Sequence, residues 1–273
     1  MRLMTTEETR KAQLQLLVDF KNFCLEHNIQ FYLFAGSLLG AVRHGGFIPW
    51  DNDIDLAVRR EDYERMKVIL REENAHPVFR FLCFENNPGY NWQHGRIVAK
   101  NTYMRTASGN QLLGLPIDIF PLDSQGNDRE LAMKNLIEIH RCVLLRIMCY
   151  DYKYKKLSIP SELDNESALS LLKKFVNEGG QKEEYWVEQI LGKATAFSGI
   201  KDPKYYGCNT NDKYCVVSEA SCYSSQVELD FEGIKLPAPV GYKKILEAYY
   251  GDYMKLPPED KRKGISTTNI YVL

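Results

Sequence analysis

The chain has 273 residues, 44% of them hydrophobic and 26% charged, enough for one large domain or a core with an added lobe. Its formal net charge of −1 gives no global electrostatic case for binding nucleic acid. Seven cysteines without a C-x-x-C pair argue against a zinc ribbon: Cys142/Cys149 and Cys208/Cys215/Cys222 recur at intervals of seven, which points to packed, reduced thiols in a cytosolic compartment. The N-terminus, MRLMTTEETRKAQLQLL, has acidic residues and no apolar run of signal length. No stretch approaches the roughly 20 apolar residues of a membrane span, although peripheral membrane contact stays open.

Along the chain, Thr5-x-x-Glu8 predicts a capping box, and Leu14, Leu17, Val18, Cys24 and Leu25 recur at helical spacing over 6–27. A strand over 30–35 runs directly into Gly36-Ser37, and 38–44 reads as a short helix. Residues 45–52 form a loop, 53–58 a strand and 61–73 a helix. Short strands are expected at 79–84, 94–99, 102–106 and 115–121. Helices follow at 128–150, 166–178 and 182–197, the last two joined by Gly179-Gly180. A hairpin over 226–236 and a helix over 241–250 precede a mostly irregular tail. Lys153, Lys155 and Lys156, interleaved with Tyr152 and Tyr154, read as a solvated basic turn.

The densest signal is AGSLLGAVRHGGFIPWDNDID at 35–55. In a strand, Asp53 and Asp55 point to the same side, roughly 7 Å apart at the backbone, so they can share a divalent cation. Gly36-Ser37 opens a helix whose first N–H groups suit a phosphate. The acidic run continues into Ile54, Leu56, Ala57 and Val58, a buried strand rather than an open turn. A calcium loop would need Gly and Glu where Leu56 and Asp62 stand, and is rejected. Asp118, between Ile117 and Ile119, is costly in a strand unless paired or metal-bound, and is the third candidate carboxylate. Asp51 reads as a support for the ligands rather than a ligand.

Other residues keep two readings. Arg43 and His44 either cap the last carbonyls of the short helix or contact a substrate. Arg96 and Lys100, four apart on a strand, are either surface bases or a diphosphate-binding pair. Trp50 and Trp92 read as packed aromatics, with a quaternary-ammonium cage the weaker alternative. His94 and His140 read as structural or exposed, and Asp123 as a strand-end turn residue.

GSLLGAVRHGGFIPWDNDIDLAV closely resembles the signature of the LicD family, which includes bacterial phosphocholine transferases and, more distantly, fukutin-type ribitol-phosphate transferases. LPIDIFPLD at 115–123, FEGIKLPAP at 231–239 and YGDYMKLPP at 250–258 resemble later family motifs, so the likeness runs from about residue 10 to about residue 260. One departure is Asn52, where the family often has Asp; alternation turns it away from Asp53 and Asp55.

The resemblance implies an α+β fold, a nucleotidyltransferase-like mixed sheet flanked by helices, with an added helical region. Residues 1–126 would be the catalytic core, 127–200 a helical insertion or lobe, and 201–273 a segment packing back on the core. It implies transfer of a phospho-alcohol from a CDP-activated donor to a hydroxyl of a glycan or lipid-linked glycan, releasing CMP at the inner face of the membrane. Asp53, Asp55 and Asp118 would hold Mg2+ or Mn2+, one ion or two, with Asp118 a candidate general base. Gly36, Ser37, Arg43, His44, Arg96 and Lys100 would bind the donor. A nucleotide-sugar glycosyltransferase, a template-independent nucleotidyltransferase and a non-catalytic binding module are the competing classes.

Overall fold

The computed structural model describes residues 2–90, 92–105, 112–153, 170, 182–208, 216–262 and 269–272. The helix expected at 166–178 lies, apart from residue 170, outside them, as do Cys215 and the 154–156 stretch of the basic turn. In chain order the elements are β1 (Arg2–Leu3), α1 (Thr6–Glu26), β2 (Phe31–Leu33), α2 (Ala35–His44), β3 (Asp55–Arg59), α3 (Arg60–Ile69), β4 (Phe79–Leu82), β5 (Gly95–Ala99), β6 (Thr102–Arg105), β7 (Leu112–Leu113) and β8 (Pro116–Ser124). They continue with α4 (Arg129–Lys153), α5 (Glu183–Ala194), β9 (Tyr205–Cys208), β10 (Ser218–Glu219), β11 (Gln226–Phe231), β12 (Ile234–Pro239), α6 (Tyr242–Tyr250) and β13 (Ile270–Val272).

The capping box forms as expected: Glu8 N donates to Thr5 Oγ1 at 3.2 Å, and Thr5 N donates to the Glu8 carboxylate at 2.8 Å. Helix α2 starts earlier than the sequence predicts. Leu38 N already donates to Phe34 O, so Gly36 and Ser37 lie inside the first turn rather than ahead of it. The tail is not wholly irregular, because β13 pairs antiparallel with both β1 and β6.

The fold is α+β, with a mixed sheet flanked by helices, as expected. Strand β8 is its axis. One edge pairs parallel with β3; the other pairs antiparallel with β5 through residues 116–119 and with β9 through 122–124. Pro121, which has no N–H, falls in the gap between those two pairings, where none is needed. Helices α1 and α3 cover one face, through Phe20 against Phe31 and Phe79, and Tyr63 against Phe81. Asp123, expected in a turn, is a strand residue on that face and 1% exposed. Arg60 of α3 binds it bidentately, Nε–Oδ1 at 2.7 Å and Nη2–Oδ2 at 3.0 Å, which keeps the carboxylate ionised despite burial. Tyr249 of α6 packs on the opposite face through Phe34, which meets Phe120.

Helices α4 and α5 build a separate apolar cluster around Leu136, Val143, Trp186 and Ile190. Among the described residues no helix is long and apolar enough to cross a membrane. None of the described cysteines is in a disulfide.

Candidate active site

The turn from β2 into α2 is strained. Ala35 takes φ +42°, a left-handed conformation that L residues with a side chain adopt at a cost of about 1–3 kcal/mol. It aims the start of α2 at the acidic segment. A Cβ on Gly36 would lie 2.9 Å from Asp51 Oδ2 and 3.8 Å from Asp55 Oδ2, so only glycine lets those carboxylates close over the helix start. Ser37 is buried, and its Oγ accepts a hydrogen bond from Asp55 N at 2.9 Å. Ser37 thus ties α2 to β3.

The loop between α2 and β3 is held from two sides. At one end, Gly45 closes α2 at φ +69°, Phe47 N donates to the Glu232 carboxylate at 3.0 Å, and Glu232 N donates to Gly45 O at 2.8 Å. At the other, the Arg10 guanidinium sits over the Phe47 ring and its Nη2 reaches Pro49 O at 3.2 Å and Asp51 O at 2.9 Å. The same nitrogen approaches Asn52 Oδ1, so Asn52 is turned toward α1. Gln13 Nε2 donates to Asn52 O at 3.0 Å. Sequence reasoning missed Arg10 and Gln13. The signal was there: Gln13 interrupts the apolar stripe of α1 yet is 2% exposed.

The register brings Asp55, Asp118 and Arg96 onto one face, whereas Asp53, expected in the strand, lies ahead of β3, which begins at Asp55. Asp118 stands opposite Asp55 on one side and Arg96 on the other. Arg96 Nε binds Asp118 Oδ1 at 2.6 Å, and His94 Nε2 lies 3.5 Å from Asp118 Oδ2. Burial pushes the Asp118 carboxyl up, but Arg96 and His94 outweigh it and hold the group well below the usual carboxylate range. Asp53 behaves in the opposite sense. Burial, the close Asp51 carboxylate and the charge on Asp118 push it up to about 8. His94 is buried against Phe120 and Trp92, so it is structural in packing but belongs to the site through Asp118. Burial lowers its pKa.

The remaining candidates separate. Trp92 meets the guanidinium groups of Arg96, 4.6 Å from its ring centre, and of Arg146 of α4, 4.8 Å away. Lys100 lies beyond the end of β5 and donates to His76 O at 2.9 Å, apart from the carboxylates. Arg43 donates through Nε to His44 Nε2 and through Nη1 to Tyr253 O, both at 3.0 Å. His44 meets Trp50 edge-on, and burial together with Arg43 lowers its pKa.

Two cavities of about 550 Å3 each meet at Asp51. The first is lined by Asp51, Asp53, Arg96 and Asp118, with threonines of the α1 start and Ile270 of β13. The second is lined by Gly36, Arg43, Trp50 and Asp51, with the 250–258 segment.

A hard divalent cation fits this donor set, which is carboxylate oxygen alone. Burial lifts Asp53 most, and the repulsion from Asp51 and Asp118 that adds to it is what a cation would relieve. Among the described residues no group of three or more acidic, His or Cys side chains is placed to hold a metal ion, so the expected set of Asp53, Asp55 and Asp118 is not gathered as one ligand cluster.

A family model described as the LicD/FKTN/FKRP nucleotidyltransferase domain matches residues 28–141, which hold Gly36, Ser37 and all four carboxylates of the site. The lipopolysaccharide cholinephosphotransferase LicD of Haemophilus influenzae is 29% identical over the whole of both chains. An uncharacterised protein of Rickettsia prowazekii is 41% identical over 81 residues, 26% of this chain and 30% of that one. The human ribitol 5-phosphate transferase FKRP is 56% identical over 34 residues, 12% of this chain and 7% of its own. Residues 28–141, which hold the acidic site, thus match the LicD-type nucleotidyltransferase domain, and the chain as a whole is similar to a LicD cholinephosphotransferase.

Proposed function

We propose that this protein is a metal-dependent transferase that moves a phospho-alcohol, phosphocholine or a relative of it, from a CDP-activated donor to a hydroxyl of a cell-surface glycan precursor. The carrying observation is the convergence of Asp51, Asp53, Asp55 and Asp118 beside the start of α2, within a chain matched end to end by a cholinephosphotransferase. The acceptor oxygen forms a bond to the phosphorus that bears the alcohol. The bond from that phosphorus to the CMP oxygen breaks, and the hydroxyl proton leaves to solvent or a base.

Asp53 and Asp55 would hold Mg2+ or Mn2+ against the donor diphosphate, with Asp118 on their flank. The ion supplies neutralisation of the charge that builds on the phosphoryl oxygens and the leaving CMP. Asp118, locked to Arg96, is a weak base, so its part is to fix Arg96 beside the carboxylates rather than to take the proton. The Gly36 and Ser37 N–H groups at the start of α2 would face the donor phosphates. Arg10 and Gln13 keep Asp51 and Asn52 in place before substrate arrives. The region 127–200 is read as a helical lobe, and a lipid-linked acceptor would be met at the inner membrane face.

Thermal stabilisation tests this without an acceptor. CDP-choline, CDP-ethanolamine, CDP-glycerol, CDP-ribitol, CTP and a UDP-sugar are each added with and without Mg2+. A ligand at about 100 times its dissociation constant adds about 2.7 kcal/mol. A Mg2+-dependent shift with one CDP-alcohol, lost in Asp53→Asn, supports the transferase and names its donor. A response to CTP alone would move the protein to nucleotidyl transfer, and to the UDP-sugar alone to glycosyl transfer.

A further inference from the structure

The two cavities that meet at Asp51 differ in chemistry, and so in the substrate each can take. We infer that the cavity walled by Trp50, Arg43 and the 250–258 segment holds the nucleoside diphosphate half of the donor. The cavity walled by the start of α1 then receives the hydroxyl-bearing acceptor. The inference rests on the transferase reading and deepens it.

Charge carries the first part. Arg43 and Lys255 line the second cavity, and Arg262, anchored by Nε to Pro257 O at 2.7 Å, stacks on Trp50 with its guanidinium 5.7 Å from the ring centre. Within the lining Arg43 and Lys255 balance Asp51 and Asp252, and Arg262 adds a positive charge beside Trp50. In the first cavity the acids Asp51, Asp53 and Asp118 meet a single cation, Arg96, already bound to Asp118. A diphosphate carries several negative charges and is drawn to the cationic side. Gly36, at the start of α2, opens to that same cavity, so backbone N–H groups and cations converge there.

Surface type carries the second part. Trp50, Tyr250 and Tyr253 give the cationic cavity flat π-faces for a heterocyclic base, and their cationic neighbours disfavour a quaternary ammonium there. The acidic cavity sets the hydroxyl and amide groups of Thr5, Thr9, Gln13, Asn52 and Asn269 among apolar walls that include Met4 and Ile270, a mixed lining suited to the hydroxyls and the apolar ring faces of a neutral polyol. Gln13 is 2% exposed, and its Oε1 accepts a hydrogen bond from no described residue. YGDYMKLPP thereby gains a role as the outer wall of the nucleotide cavity, folded back over α2 by the Arg43–Tyr253 O bond.

The test is a mirror pair of variants titrated with CDP in the presence of Mg2+, by calorimetry on the full chain. Lys255 is exposed, so Lys255→Glu leaves the fold intact and is expected to weaken CDP about tenfold, the loss shrinking as salt rises. Trp50→Leu is expected to weaken it further, with far-UV dichroism checking that it folds. Thr9→Trp fills the acidic cavity and is expected to leave CDP affinity within about twofold of wild type while abolishing turnover. Loss of CDP binding in Thr9→Trp with wild-type affinity in Lys255→Glu overturns the assignment alone. No CDP binding by the wild type at all would overturn the transferase reading and this inference together.

Discussion

Arg96 and Asp118 face each other across the β5–β8 pair and bind through Nε and Oδ1 at 2.6 Å, with neither side chain more than 17% exposed. A charge pair so enclosed matters most when one partner is removed. Arg96→Met leaves a buried carboxylate beside Asp53 and is expected to cost about 3–5 kcal/mol at pH 7, read from urea unfolding. The double variant R96M/D118L recovers most of that loss while remaining inactive. The sign with pH follows from the lowered Asp118 pKa. Its stabilising contribution is complete at neutral pH and is lost as pH falls below the unfolded value of about 4 toward the folded one. The gap between wild type and Arg96→Met should therefore narrow in acid. A gap that holds constant from pH 7 to pH 3 would show that the pair does not set it.

Asp53 has the reverse linkage. Its folded pKa is raised to about 8, so without metal the folded state binds the extra proton and loses stability as pH rises from about 4 to about 8. Mg2+ competes with that proton. In EDTA the melting temperature should fall across this window, and added Mg2+ should flatten the fall. Asp53→Asn is expected to gain at least about 1 kcal/mol over wild type at pH 8 in EDTA and to lose the Mg2+ response. A variant that still responds to Mg2+ as wild type does would remove Asp53 from the ligand set.

What was legible in the sequence tracks what is local. The capping box of α1 and the chemistry of 35–55 are written in consecutive residues. Asp118 was found because a charge between Ile117 and Ile119 needs a reason, but the reason, Arg96, lies 22 positions away and is fixed only by strand pairing. The alternation that put Arg96 and Lys100 on one side assumed a strand longer than β5, which ends at Ala99, so Lys100 turns to His76. The sequence puts the start of α2 too late because left-handed Ala35 has no sequence mark comparable to a glycine. Arg10, Gln13 and Glu232 act on the acidic loop from distant elements, and only the tertiary fold shows them to be neighbours.

Arg10 provides a test of loop order separate from chemistry, since it bonds the backbone of Pro49 and Asp51 rather than a candidate ligand's carboxylate. Arg10→Lys keeps the charge but gives up the planar fork. It should lower kcat about tenfold or more, because misplacing the Asp51–Asp55 segment by a fraction of an ångström degrades the alignment of reacting groups. Stability should fall by only about 1–2 kcal/mol. A kcat equal to wild type, with the stability loss present, would make Arg10 a structural residue alone.

Ala35 and Gly36 are neighbours that should respond in opposite senses. Ala35 carries φ +42°, which glycine adopts freely, so Ala35→Gly relieves strain and is expected to add about 0.5–1 kcal/mol, offset in part by the greater entropy of an unfolded glycine. Gly36→Ala would place a methyl 2.9 Å from Asp51 Oδ2, and the carboxylate must swing aside. Since a side chain can give way more cheaply than backbone, the loss of stability should stay under about 1.5 kcal/mol while turnover falls by an order of magnitude or more. Calorimetric melting and turnover measured on both variants separate the two effects. Unchanged turnover in Gly36→Ala would mean that the closure of Asp51 over the start of α2 plays no part in the reaction.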